Sequence, residues 1–373
     1  MQQAGAGEAG APWLTLALLA VLIIIFCLEV SLGFDQHAEF LQPSLRTLVA
    51  LGGSNWNLVA GGGEWFRVIS APFLHAGLLH LSLNGLVLLW GGSLLERLVG
   101  RAWFAAIYAV SAVTGGLMSL LINPPTVVSV GASGAIMGLM ASLFVTSFHF
   151  PPGPVRTRLL TAALQVLVPS LLPVFTAITG QRVDFGAHLG GALGGAFMAL
   201  VLLLLWPRSE PLPRVRWLAA AIGVAGLVAA MVAAWNVHGS FVKAQHDMEL
   251  QAMLVPDSEF PRSDAEWKAQ VDKLAARYPH DPRPRLYRGI TLLDAGDLAG
   301  AERELRAGLG DAQTFKDVLP PQVEALLRTN LASTLNANRQ TAEAKAIAQP
   351  VCQPDRAELR SLRSRLRRLG LCD

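Results

Sequence analysis

Charge is scarce in this chain. Only 15% of its 373 residues are Asp, Glu, Lys or Arg, against roughly 25% in an ordinary soluble domain. The net charge of +3 is small for the length, so nucleic acid is not expected as a partner. Cysteine is rarer still, at three residues, too few for a disulfide-built scaffold. No His-Glu-x-x-His occurs, so a zinc metalloprotease is not indicated. No Gly-Lys-Ser/Thr loop occurs either, which argues against an ATP-driven pump. A Gly-x-Ser-x-Gly elbow on a strand-to-helix turn is missing, and Asp184 is the one candidate for a membrane aspartate. No metal or cofactor is expected.

What the chain has instead is apolar length. Its mean hydropathy is +0.43, and the charge is unevenly spread. Residues 1–242 carry 18 charged side chains, residues 243–373 carry 39. The first part is lipid-like in composition and the second reads as soluble protein, which excludes a single globular domain.

A membrane-spanning helix needs about 20 mostly apolar residues. Stretches free of Asp, Glu, Lys and Arg run over 9–28, 68–95, 102–155, 159–181, 185–207 and 217–242. Asn123-Pro124-Pro125 divides the longest of them, because proline does not suit a helix interior. Seven helices follow, at 13–33, 79–96, 102–122, 131–149, 158–180, 185–206 and 217–237. Pro169 and Pro173 should kink or loosen the fifth. Residues 1–12 hold no Lys or Arg, so the first helix reads as a retained anchor rather than a cleaved signal.

Arginine sets the expected orientation. With the N-terminus cytoplasmic, inner loops carry Arg97, Arg101, Arg156, Arg158, Arg208, Arg214 and Arg216, and outer loops carry Arg46, Arg67 and Arg182. Seven spans then put the C-terminal part outside, where Cys352 and Cys372 could pair or stay free thiols. The loop 34–78 is too long for a turn. Its Trp65, Phe66, Arg67, Phe73 and His75 suit an interfacial anchor better than a wall facing substrate.

Polar groups at membrane depth are costly and mark candidate sites. His80 and Asn84 sit four apart on one helix face. Ser133 opens the fourth helix within Gly131-Ala132-Ser133-Gly134, and His188 lies near the start of the sixth. All three helix starts lie on the outer side. Gly134/Gly138 and Gly191/Gly195 make small-xxx-small spacings that let two backbones approach. If those faces meet, Ser133 and His188 come within reach, the components of an activated nucleophile. A serine bonding its own helix and a histidine packed between helices remain the plain alternatives.

These residues together resemble the rhomboid intramembrane serine proteases. The resemblance rests on Gly131-Ala132-Ser133-Gly134, on His188 in Ala-His-Leu-Gly-Gly and on His80-x-x-x-Asn84. The loop with Trp65 and Arg67, ending in Phe73-Leu74-His75, adds to it. It covers residues 13–206, after a tail at 1–12. It implies a six-helix bundle, to which a seventh helix (207–242 with its loop) is added. It also implies that Ser133 attacks the scissile carbonyl and that His188 moves the proton. His80, Asn84 and the Ser133 amide would then stabilise the oxyanion. Gly131 and Gly134 would permit close backbone approach. Substrates would be membrane-anchored proteins entering from the lipid past the fifth helix. A bacterial inner membrane is the implied location. The aromatic residue that rhomboids often carry one turn after the serine is Met137 here, so packing rather than stacking should orient the histidine. Asp184 should cap its helix.

A catalytically silent relative that binds client helices is the competing reading, and a transporter is a third. The retention of Ser133, His188, His80 and Asn84 speaks against the silent one.

Residues 243–373 read as a helical repeat module. The run from Gly289 through Leu292, Gly296, Asp297, Leu298, Ala301, Leu305 and Leu309 resembles a tetratricopeptide repeat. Ala332, Leu335, Ala344 and Ala348 form a degenerate second copy. Such a module offers a face for a protein partner. Asp355 should cap the last helix and Gly370 should stop it. Leu359, Leu362, Leu366 and Leu369 form its apolar stripe, with arginines around them.

Overall fold

The structure is a computed structural model and describes residues 11–34, 41–172, 183–354 and 357–372. Pro173, Arg182, Asp355 and most of the tail at 1–12 lie outside the described residues. The chain divides into two compact units, Met1–Val242 and Lys243–Asp373.

Among its described residues the first unit is built of helices. Helix α1 spans Trp13–Ser31, followed by the short α2 (Leu45–Ala50) and α3 (Arg67–Ser70) in the long loop. Then come α4 (Leu78–Val99) and α5 (Arg101–Ile122). They are followed by α6 (Ser133–Thr146), α7 (Pro154–Leu171), α8 (Phe185–Leu204) and α9 (Arg216–Ala252). Helices α1, α4, α5, α8 and α9 are long and apolar enough to cross a membrane. Helix α6, with a 3-10 turn at Ser147–His149, is a shorter apolar helix. The chain is thus an all-helical, multi-pass integral membrane protein. Among the described residues the extended structure is limited to one bridge, Ser54 to Ser129.

Helices α1 and α4 to α9 overlie the seven expected stretches, five of them long and apolar enough to cross a membrane, with three local differences. Helix α6 starts at Ser133 rather than 131, because Gly131 has φ +122°. Helix α7 starts at Pro154, where a missing amide costs nothing, and it takes Pro169 inside its last turn. The end expected at residue 180 lies outside the described residues. Helix α9 runs to Ala252 rather than 237. No proline lies between Pro213 and Pro256 to stop it, and its three glycines, Gly223, Gly226 and Gly239, are isolated ones of the kind a helix tolerates. Helix α4 also contains a π-turn at Leu88–Gly92, which periodicity does not signal.

Two helices meet through glycine. A Cβ on Gly191 would run into the Gly134 carbonyl, and one on Gly195 into the Gly138 carbonyl. A Cβ on Gly138 would lie 2.7 Å from the Gly191 oxygen. So α6 and α8 touch backbone to backbone over two turns. The Ser142 hydroxyl adds a bond to the Gly195 carbonyl at 2.7 Å. Helix α8 also packs along α5, where Gly190 and Gly194 meet Thr114. Phe104, Ile107, Ile136, Leu139, Met140 and Leu202 fill the buried centre.

Polar ends are tied down across helices. The first turn of α1 has no side-chain cap of its own. The Glu96 carboxylate, from α4, accepts the Leu14 and Thr15 amides and the Thr15 hydroxyl at 2.7–3.0 Å. This satisfies amides that any helix start leaves open.

The second unit contains α10 (Asp264–Arg277), α11 (Pro282–Asp294), α12 (Leu298–Thr314), α13 (Pro321–Ala337), α14 (Thr341–Cys352) and α15 (Arg360–Arg368). Neighbouring helices pack as α11 on α12, α12 on α13 and α13 on α14. Ala301, Leu305, Ala332, Leu335, Ala344 and Ala348 are fully buried in its core. Asp297 caps α12 through the Gly300 amide. Cys352 and Cys372 form a disulfide. Leu369, assigned to the apolar stripe of the last helix, is exposed. Arg363, assigned to the polar surround, is buried and donates to the carbonyls of Val351, Gln353 and Pro354.

The α6–α8 contact leaves no room for a side chain. Gly191→Leu should cost on the order of 1–3 kcal/mol from overpacking, read as a lower unfolding midpoint in detergent. A midpoint equal to that of the unmodified protein would show that the helices do not meet there.

Candidate active site

The glycine contact decides where two polar side chains stand. Ser133 is the first residue of α6 and lies next to Gly134. His188 lies in the first turn of α8, next to Ala187. A Cβ on Gly134 would be 3.0 Å from the Ala187 carbonyl. Residues 134 and 187 are therefore in backbone contact, and the Ser133 and His188 backbones enter the same region. No hydrogen bond joins the two side chains in this resting structure.

The third helix start joins them. Gly131 sits against α4: a Cβ there would be 2.6 Å from His80 Cε1, 2.9 Å from His80 Nε2 and 3.8 Å from Asn84 Nδ2. So His80 and Asn84 flank the backbone two residues before Ser133, and Gly131 is required both for its φ and for that space. Asn84 is buried, and its Nδ2 has no hydrogen-bond partner among the described residues. Ser133 and His80 are partly exposed, while His188 is buried. No side chain caps α6, so the amides of its first turn point out of the helix unpaired within it.

The segment ahead of Ser133 is held by the long first loop. Ser54 and Ser129 exchange backbone bonds at 3.1 and 2.7 Å, and the Gly131 amide donates to the Ala71 carbonyl at 3.0 Å. Arg67 makes the loop rigid enough for this. Its side chain is buried, paired with Glu64 at 2.6 Å, and donates to the carbonyls of Val49 and Gly53. The loop's aromatic residues suit an interfacial anchor. Trp56 and Trp65 remain exposed, yet Arg67 turns inward, and the loop supports the turn that feeds Ser133.

Asp184 behaves as a cap. Its Oδ1 accepts the Ala187 amide at 2.8 Å. Its Oδ2 accepts the hydroxyls of Ser119 and Ser129 at 2.6 and 2.5 Å. One carboxylate thus ties α8 to α5 and to the segment before Ser133. Met137 is buried in the membrane core.

Two neighbours escaped the sequence reading. His75 is fully buried and its ring lies 5.2 Å from that of His80. Its amide donates to the buried Glu29 of α1 at 3.1 Å. The Ser170 carbonyl of α7 lies 2.8 Å from His188 Nδ1. His75 was visible as a loop residue but not as a neighbour of His80. A backbone carbonyl leaves no mark in a residue pattern. Among the described residues no cluster of His, Cys, Asp or Glu is built to hold a metal.

A Rhomboid domain family profile matches residues 62–205, the span that contains these groups. The chain is 32% identical over 189 residues to the putative rhomboid protease YdcA of Bacillus subtilis, covering 50% of this chain and 85% of that protein. It is 30% identical over 200 residues to the rhomboid protease GluP of the same organism, covering 54% of this chain and 37% of that one. It is 39% identical over 187 residues to RHOMBOID-like protein 5 of Arabidopsis thaliana, covering 48% and 58%. Of the last two relatives, the chain spans less than two thirds of the length.

Replacing Asp184 by Ala removes a cap and two hydroxyl bonds at once. The expected loss is on the order of 1–3 kcal/mol, measured as thermal unfolding in detergent. An unchanged midpoint would mean that the carboxylate ties nothing.

Proposed function

The chain belongs to the rhomboid family, and from that premise we propose that it is an intramembrane serine endopeptidase using Ser133 and His188. The observation that carries the reading is the convergence of three helix starts. Ser133 stands at the first, the unpartnered Asn84 Nδ2 and His80 flank Gly131 at the second, and His188 opens the third.

The chemistry follows from those groups. Ser133 Oγ attacks the scissile carbonyl while His188 Nε2 takes its proton. The carbonyl oxygen gains the negative charge. Asn84 Nδ2, His80 and the Ser133 amide stabilise it, as hydrogen-bond donors aimed at a developing oxyanion do. Collapse breaks the peptide C–N bond, and His188 returns its proton to the leaving amine. Water, deprotonated by His188, then attacks the acyl ester and frees Ser133. A resting structure without a Ser133–His188 bond is compatible with this, because such bonds often tighten only with substrate in place.

Substrates of this reading are membrane-anchored proteins with a helix that unwinds near the outer surface, where all three helix starts lie. In this reading the membrane is a bacterial inner membrane, with the N-terminus cytoplasmic and residues 243–373 outside, an orientation that the arginine bias supports. The Cys352–Cys372 disulfide supports the outer placement, since such bonds persist in oxidising compartments. In this reading residues 13–206 are the proteolytic core and residues 207–242 add the seventh helix. The tetratricopeptide-like helices of 243–373 offer a protein partner a surface.

Purified protein should cleave a reporter membrane helix in detergent, and Ser133→Ala should reduce that cleavage by at least about a thousandfold. Equal cleavage by both would remove Ser133 from the reaction. For orientation, a phosphatase fused after Asp373 should be active in cells; an inactive, intact fusion would contradict the outer placement.

A further inference from the structure

The proton carried by His188 has to sit on the correct nitrogen. A neutral imidazole has one N–H and one lone pair, and the bond made by one nitrogen fixes the role of the other. In serine hydrolases with a triad a carboxylate does this. Here the carboxylate one turn before His188 is occupied elsewhere: Asp184 accepts the Ala187 amide and the hydroxyls of Ser119 and Ser129. Residue 137, one turn after Ser133, is Met and offers no hydrogen bond that could select a tautomer.

The partner of His188 Nδ1 is the main-chain carbonyl of Ser170, at 2.8 Å. A carbonyl oxygen only accepts, so Nδ1 carries the proton and Nε2 keeps its lone pair. The carbonyl is available for a local reason. Helix α7 ends at Leu171, and Leu172 is extended at φ −109°, ψ 144°. Residue 173 is Pro, which disfavours the helical conformation for the residue before it. Ser170 therefore lies in the last turn, whose carbonyls have no intrahelical partner.

Resting on the serine-protease reading, we infer that the Ser170 backbone carbonyl is the positioning group of the catalytic histidine. It holds the Nδ1–H tautomer of His188 and aims Nε2 at Ser133. The third member of the triad is thus supplied by the end of a helix rather than by a side chain. The effect belongs to kcat, because a histidine in the wrong tautomer binds no less substrate.

Leu171 replaced by its α-hydroxy acid, through nonsense suppression in the full chain, turns the Ser170–Leu171 amide into an ester. All side chains stay, and the Ser170 carbonyl becomes a weaker acceptor. The same exchange at Val168 is the control for losing one helix amide. The expected result is a fall in kcat of about tenfold at position 171, with KM within about twofold, and a control close to the unmodified protein. Equal kcat for the two esters would overturn the proposal. Should the ester fail to fold, the unmodified protein still decides. With ¹⁵N-histidine and ¹³C-carbonyl serine, magic-angle-spinning NMR in lipid should show His188 protonated at Nδ1 and coupled to the Ser170 carbonyl. A protonated Nε2, or no such coupling, would overturn it. That spectrum does not depend on activity. Loss of the protease reading, seen as no cleavage by the unmodified protein, is therefore a separate result.

Discussion

The direct backbone contact between α6 and α8 is the constraint on which the site depends. Lipid tails are as apolar as leucine, so helices in a bilayer gain little from hiding apolar side chains against each other. Close van der Waals packing and a few hydrogen bonds have to do that work. Gly134, Gly138, Gly191 and Gly195 let the two backbones touch, and the Ser142 hydroxyl locks the register on the Gly195 carbonyl. Any side chain at these positions would move α8 outward. Because Ser133 adjoins Gly134 and His188 adjoins Ala187, the same shift would separate them.

Around this contact, the buried polar groups of the membrane unit divide into tied and untied sets. Glu96 caps the start of α1, Glu29 receives the His75 amide, Asp184 caps α8 and holds two serines, and Arg67 fills the first loop. Each is buried or partly buried, and each has its partner, as the cost of an isolated charge in such surroundings demands. The untied set is small. Asn84 Nδ2, the ring nitrogens of His75 and the hydroxyls of Ser54, Tyr108 and Ser111 are buried without a partner among the described residues, and Asn84 is the one beside Gly131. A buried donor without a partner costs stability. In the proposed reaction the cost has a use, since a charge that develops there would be met by a donor already in place.

Much of this was legible from residues alone. Charge-free stretches and prolines located the long helices, because the bilayer imposes length and apolarity on every span. The glycine spacings predicted the α6–α8 contact, and the acidic residue at position 184 predicted the cap. Features set by tertiary context were not legible. Helix α9 continues to Ala252 because nothing in the sequence forbids it, which is weaker than a signal that demands it. The inward turn of Arg67 depends on carbonyls of Val49 and Gly53, which no side-chain pattern records. The Ser170 carbonyl escaped for the same reason. Pro173 marks the helix end that exposes it, but only the fold brings that end to His188.

The central claim is that the glycine contact makes His188 the base for Ser133. Fluorophosphonate labelling followed by peptide mass mapping tests it most directly, because the reagent reacts with a serine only when that serine is activated. The account predicts one adduct, on Ser133, present in the unmodified protein and absent from a folded His188→Ala variant. An adduct on another serine, or equal labelling of Ser133 without His188, would contradict it.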